Sequence, residues 1–272
     1  MKYFYKLLDF YIESSLHVAF AVYALIRITF LKLNLAYDEP VAYFGFYGTI
    51  VGYNFIKYDE LVRVRRVALS KRFKAIIGLS FICFWITLYY FWQLETITKL
   101  LGIGALFLTI LYTIPFIPNK SNMRNWSGIK IYLVAIAWVA VTVWLPVINA
   151  HYPIDLLVIL KSIQRFILVF ILMLIFEIVD LQFDDLYLKT IPQQLGEKRT
   201  KFLAYSLLFV FILLDFFKPD ITFKVILINL VFTLILTFFT FFTSKKRNKY
   251  YTSFWVEALP MVWFLLLFIF RN

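Results

Sequence analysis

The chain has 272 residues, of which 62% are hydrophobic, with 32 Phe and 18 Tyr, and its mean hydropathy is +0.81. An apolar share so far above the roughly 45–50% of soluble domains excludes a soluble globular protein and describes one all-α polytopic membrane domain over 1–272. A lone Cys83 excludes an intrachain disulfide and a cysteine metal site, and two histidines, His17 and His151, exclude a multi-histidine centre.

Met1-Lys-Tyr-Phe-Tyr-Lys6 opens the chain ahead of an apolar run long enough to span, so no cleaved leader is expected. Hydropathy then predicts about nine transmembrane helices, each needing about 20 apolar residues. They fall at 14–33, 40–57, 73–93, 98–117, 129–149, 158–179, 200–217, 221–243 and 252–270. Short loops rich in Pro, Asn, Asp or Gly separate many of them, as at Tyr37-Asp-Glu-Pro40, His151-Tyr-Pro-Ile-Asp155 and Lys218-Pro-Asp220. No internal repeat is visible.

Every second loop is basic. Counting Lys2 and Lys6 with the loops after spans two, four, six and eight accounts for 20 of the 28 Lys and Arg. The positive-inside rule places the N-terminus in the cytoplasm and the C-terminus outside, in what is expected to be a bacterial inner membrane. The same pattern accounts for the net charge of +12 through topology and anionic-lipid contact, with no nucleic-acid partner.

The polar end of span six carries the sharpest signal. Glu177, Asp180 and Asp184 stand at i, i+3 and i+7, one stripe of a helix face. Aligned like charges repel, and carboxylates leaving a membrane span are costly and usually functional. A divalent cation makes the arrangement tolerable, since Mg²⁺ takes one or two carboxylates and completes its shell with phosphates and water. A solvated acidic helix end is the plainer alternative. The loop after span two, Asn54 to Arg66, also mixes acids and bases, and a metal beside Arg and Lys at a membrane face suits a phosphorylated lipid.

At these residues the chain resembles the UbiA superfamily of intramembrane prenyltransferases, over essentially its whole length. That family's second motif, D-x-x-x-D followed by Thr-Leu-Pro and Leu-Gly, is matched by Asp180 and Asp184, by Thr190-Ile191-Pro192 and by Leu195-Gly196. Leu188 stands at the usual Gly position, and the gap from Asp184 to Thr190 is one residue short. Of the first motif, N-D-x-x-D-x-x-x-D, only Asn54 aligns, with Phe55, Tyr58 and Val62 at the aspartate positions. Asp59 lies near, but five residues after Asn54 it is about 140° round a regular helix, so it joins the site only if the chain is irregular there.

The resemblance implies prenyl transfer from a polyprenyl diphosphate to a hydrophobic acceptor, with Mg²⁺. Asp180, Asp184 and Asn54 are then expected to be catalytic, and these three with Asp59 and Glu177 to be the metal ligands. Lys57, Tyr58, Arg63, Tyr112, Lys120, Arg124 and Lys189 are expected to bind the diphosphate substrate. Acceptor, chain length and oligomeric state are not readable. The depleted first motif equally suits a non-catalytic relative that binds or transports an isoprenoid lipid or assists assembly. A transporter would carry ionisable groups near mid-membrane, and none stands out; the Asp-Gly-Ala-Arg cluster of lipid phosphotransferases is absent. Glu13 and His17, at i and i+4, are expected to share a hydrogen bond, with acceptor binding or proton removal the second reading, and Arg27 to snorkel to the outer interface. His151 is given no role, and Glu257 is noted a short way into span nine.

Overall fold

The computed structural model describes the backbone over 2–65, 70–113, 128–184, 188–219 and 222–270, with side chains of 2–4, 60–65, 111 and 112 outside the description. Among the described residues every regular element is helical. They are α1 (Lys2–Glu13), α2 (Leu16–Lys32), α3 (Glu39–Arg65), α4 (Lys71–Gln93), α5 (Thr96–Thr113) and α6 (Lys130–Asn149). Then come α7 (Leu156–Asp180), the short α8 (Ile191–Leu195), α9 (Glu197–Phe217), α10 (Phe223–Phe242) and α11 (Tyr251–Phe270).

Each predicted span coincides with one of these helices, usually to within three residues. Six of them, α4, α6, α7, α9, α10 and α11, are long and apolar enough to cross a membrane alone. α1 and α2 qualify only as a pair bent by 59°, giving seven. The predicted nine is therefore not reached by this measure: α5 counts as a shorter apolar helix, over Thr96–Ile110, and α3 carries Glu39, Lys57, Asp59, Glu60, Arg63 and Arg65.

Local chemistry sets the helix starts. Ser70, Asp155 and Thr222 each accept the N–H three residues on, at 3.2, 2.9 and 3.4 Å, satisfying one of the donors a helix N-terminus leaves free. Prolines explain two irregular turns. Pro146 has no N–H for the carbonyl of Thr142, and a π turn over Ala140–Trp144 leads into it. The Thr29 hydroxyl of α2 donates to that carbonyl at 2.6 Å, locking α2 to α6. A second π turn, Tyr251–Val256, precedes Pro260 in α11.

α7 is the axis of the bundle. Two thirds of its apolar window (67%) is buried, against 11% for α4, whose Phe81, Trp85, Tyr89 and Trp92 face outward as lipid-contacting side chains do. α6 and α9 pack along α7, α11 packs on α2, and α10 lies against α9 and α11. Leu168, Ile171 and Leu174 of α7 meet Leu25 and Ile26 of α2 and Phe211, Phe232 and Trp263 in one continuous core. Phe232 and Trp263 stack with centroids 4.9 Å apart.

Candidate functional site

The carboxylate stripe survives at the end of α7. The helix stops at Asp180, but the Asp184 N–H still donates to the Asp180 carbonyl at 2.9 Å, so the next turn keeps helical spacing. Asp184 lies close enough to raise the cost of charge on both Asp180 and Glu177, and Lys130, at the start of α6, is close enough to offset it on both. Lys130 reads in sequence as one more basic loop residue, yet it supplies counter-charge to Asp180 and Glu177. Its position at the first turn of a helix that packs on α7 was the available signal.

Glu177 has a further task. It is 2% exposed, and one carboxylate oxygen accepts the Ile191 N–H at 3.3 Å. That bond pins the start of α8, whose own N-terminus is closed by the Thr190 N–H donating to the Gln193 side chain at 2.9 Å. Gly196 follows at φ 80°, a left-handed turn that glycine adopts without strain, and α9 begins at once. The Thr-Ile-Pro and Leu-Gly elements are thus the hinge that folds the chain back beside the carboxylates. Lys189, exposed and at φ 45°, directly precedes that hinge.

Asn54, Lys57 and Tyr58 converge on the break between α1 and α2. Ser15, at φ 62°, turns the chain there. Asn54, 4% exposed, donates to the Ser14 carbonyl at 3.1 Å and to Ser80 Oγ at 2.8 Å, and accepts from Ser15 Oγ at 2.8 Å. Lys57 donates to Ser15 Oγ at 3.0 Å, and the Tyr58 hydroxyl to the Glu13 carbonyl at 2.9 Å. Both amide protons of Asn54 are therefore committed to holding α1, α2, α3 and α4 together. Substituting Asn54→Ala is expected to lower stability by about 2–4 kcal/mol through three lost hydrogen bonds, read as a fall in thermal midpoint of the solubilised protein.

α3 is regular through Arg65, so Asp59 stands about 140° round from Asn54 and the two share no face. The expected Glu13–His17 hydrogen bond is not formed. The Ser14–Ser15 break destroys the i, i+4 geometry; Glu13 pairs instead with Arg72 at 2.9 Å. His17 lies 3.0 Å from the Tyr11 hydroxyl and 2.8 Å from the Phe254 carbonyl, which makes Nε2 the donor to that carbonyl and Nδ1 the acceptor. Glu257, just past the π turn of α11, interacts with Lys57 across this cluster. Arg27 donates to the Tyr23 hydroxyl at 3.0 Å and lies over the Tyr37 ring at 4.5 Å, an aromatic seat for its charge.

The side chains of Arg63 and Tyr112, and Lys120 and Arg124 entirely, lie outside the described residues. Among the described residues no group of three or more His, Cys, Asp or Glu side chains is arranged as a metal cage. A two-carboxylate site completed by phosphate oxygens and water needs no such group, and Asp180 with Asp184 fits that smaller demand.

Buried hydrogen-bonded elbows, lipid-facing aromatics and polar helix ends define an integral membrane helical bundle. No protein-family model matches the sequence, and no curated protein matches it. Solved structures do. A UbiA homologue from Archaeoglobus fulgidus bound to Cd²⁺ aligns with TM-score 0.62 at 13% identity, over 94% of this chain and 97% of its own. A structure of digeranylgeranylglyceryl phosphate synthase aligns at 0.62 and 12%, over 97% and 98%. A UbiA homologue from Aeropyrum pernix aligns at 0.62 and 14%, over 96% and 98%. The A. fulgidus protein is also known bound to GPP and Mg²⁺, with TM-score 0.56. This chain has the UbiA fold, as its second motif led one to expect.

Proposed function

We propose that the protein is an intramembrane prenyltransferase that moves an isoprenyl group from a polyprenyl diphosphate to a hydrophobic acceptor. The observation that carries this reading is the pair Asp180 and Asp184 at the end of the most buried helix, one turn apart and beside Lys130. In this reading the two carboxylates hold Mg²⁺, as befits a fold whose A. fulgidus representative binds GPP with Mg²⁺. Bound there, the ion supplies charge neutralisation to the departing diphosphate. Arg63, Lys120, Arg124 and Lys189, with the hydroxyl of Tyr112, are the chain's own groups for diphosphate oxygens, while Lys57 and Tyr58 are tied into the α1–α2 elbow. The bond between the allylic carbon and the diphosphate oxygen breaks, and the acceptor nucleophile takes that carbon and gives up its proton. Glu177 acts by latching α8, and Asn54 by holding the α1–α2 elbow. Asp59, on a different face of α3 from Asn54, is not required by this two-carboxylate site.

A second reading has one specific observation in its favour. The three first-motif aspartate positions hold Phe55, Tyr58 and Val62, and Asn54, Lys57 and Tyr58 are engaged in structural hydrogen bonds. That suits a UbiA-like protein that binds an isoprenoid diphosphate without turning it over. Purified protein incubated with Mg²⁺ and labelled farnesyl or geranylgeranyl diphosphate separates the two. Diphosphate release that vanishes in an Asp180→Ala/Asp184→Ala variant supports the enzyme. Metal-dependent binding without release, against a broad acceptor panel, supports the binding protein, and no binding removes both.

A further inference from the structure

Far from the carboxylate end, the bundle encloses a second polar cluster that prenyl transfer does not use. Its members come from four helices: Lys32 at the end of α2, Lys161, Gln164 and Arg165 on α7, Asp215 at the end of α9 and Lys218 just after it, and Asn229 on α10. Arg165 is 15 residues from Asp180, about 22 Å along α7 at 1.5 Å per residue. Asp215 is fully buried, Arg165 4% exposed and Lys218 8% exposed.

The one carboxylate of the cluster among the described residues is well supplied with donors. Asp215 receives Lys218, the Gln164 amide at 2.9 Å and the Asn229 amide at 2.7 Å. Lys32 reaches Asn229 Oδ1 at 3.0 Å and sits over the Trp263 ring at 4.4 Å. Its charge is opposed by Lys218, Lys161 and Arg165 and favoured only by Asp215 among its strongest neighbours. Lys161 has a further partner of its own and is left out of the balance. Lys32, Arg165 and Lys218 then stand against one carboxylate among the described residues, and like charges repel more strongly the less water reaches them.

Two observations point to what relieves them. Arg165 donates one Nη1 hydrogen bond, to the Leu25 carbonyl at 3.0 Å, while its buried Nε–H has no partner. A small cavity of about 10 Å³ lies among Ile28, Thr29, Lys32, Lys161, Gln164, Arg165 and Trp263. That is about the room one water needs, and a halide is close to water in size, whereas a tetrahedral oxyanion is not.

We propose that this cavity is a buried binding site for a monovalent inorganic anion of chloride size, held by the Arg165 Nε–H and the Lys32 ammonium beside Trp263. The site stabilises the bundle and is independent of the carboxylate end.

The test uses the purified full-length protein in detergent, unfolded thermally in gluconate buffer into which chloride or bromide is titrated at constant ionic strength. A saturable rise in midpoint on the order of 5 °C is expected for both halides. Crystals grown in bromide are expected to show an anomalous peak inside the cavity. The halide response is lost in Lys32→Gln, a partly exposed position that spares the core, and in Arg165→Met, and it is kept in the surface control Lys245→Gln. Equal midpoints in gluconate and chloride, a cavity holding only water in bromide, or stabilisation by phosphate but not chloride each overturn the proposal.

Discussion

Replacing Asp215 with alanine is expected to cost about 3–5 kcal/mol, the range for breaking a buried ion pair from one side. That is a large share of the roughly 5–15 kcal/mol that holds a typical domain together. The reason is that one residue satisfies three neighbours at once. Lys218, Gln164 and Asn229 all direct donors at its carboxylate, and Lys32 lies within its field. Alanine leaves those donors without an acceptor and the ammonium groups without their anion, inside helices that otherwise pack Phe211, Phe232 and Trp263. The measurable result is a fall in thermal midpoint of about 10 °C or more, with a matching loss of monodisperse protein after solubilisation. Asp215→Asn keeps an oxygen acceptor but loses the charge, so it should fall between the two. Removing Lys218 together with the carboxylate, as Asp215→Leu/Lys218→Met, should recover part of the loss, because the most closely paired charges then disappear together. A midpoint within about 2 °C of wild type for Asp215→Ala would show that the network does not anchor the bundle.

That network also shows where reading the sequence stops. Long apolar runs mark the helices because burial and lipid contact both act on side-chain hydropathy residue by residue, and the helix limits at α6, α7 and α11 follow closely. The second-motif string was legible for a related reason: Asp180, Asp184, Pro192 and Gly196 work through neighbours a turn or a hinge away. Lys32, Arg165, Asp215 and Asn229 are scattered over nearly 200 positions, and nothing local says that they meet. Each alone reads as a loop charge or a snorkelling side chain, so the cluster does not stand out in the sequence. Glu13 and His17 failed in the opposite way. Their spacing is right for a helix, but a left-handed Ser15 ends one helix and starts another between them. Asn54 was legible as an important residue and its partners were not, because Ser14, Ser15 and Ser80 are unremarkable serines until the elbow is built.

At the carboxylate end, the largest effect on turnover is expected from Asp180→Asn and Asp184→Asn, each lowering Mg²⁺-dependent diphosphate release by about 10²–10³, the scale of losing one charge-stabilising group. Glu177 sits on the same stripe, but one of its carboxylate oxygens has a task of its own. Its carboxylate accepts the Ile191 N–H, a role glutamine can take over, so Glu177→Gln should leave the apparent Mg²⁺ requirement close to wild type. Glu177→Ala removes the acceptor and should instead speed hydrogen exchange at Ile191–Leu195, a readout that a metal ligand would not be needed to protect. Lys130 supplies a test of sign. It offsets the charge of Asp180 and Glu177, so it competes electrostatically with any cation the carboxylates attract. Lys130→Met should therefore tighten Mg²⁺ by on the order of fivefold, the effect of removing a repulsion of about 1 kcal/mol, even if it lowers stability without the metal. A weaker Mg²⁺ dependence in Lys130→Met would mean that the lysine holds the diphosphate itself. Loss of metal dependence in Glu177→Gln equal to that in Asp184→Asn would return Glu177 to the ligand set and leave α8 to be held by its own capping.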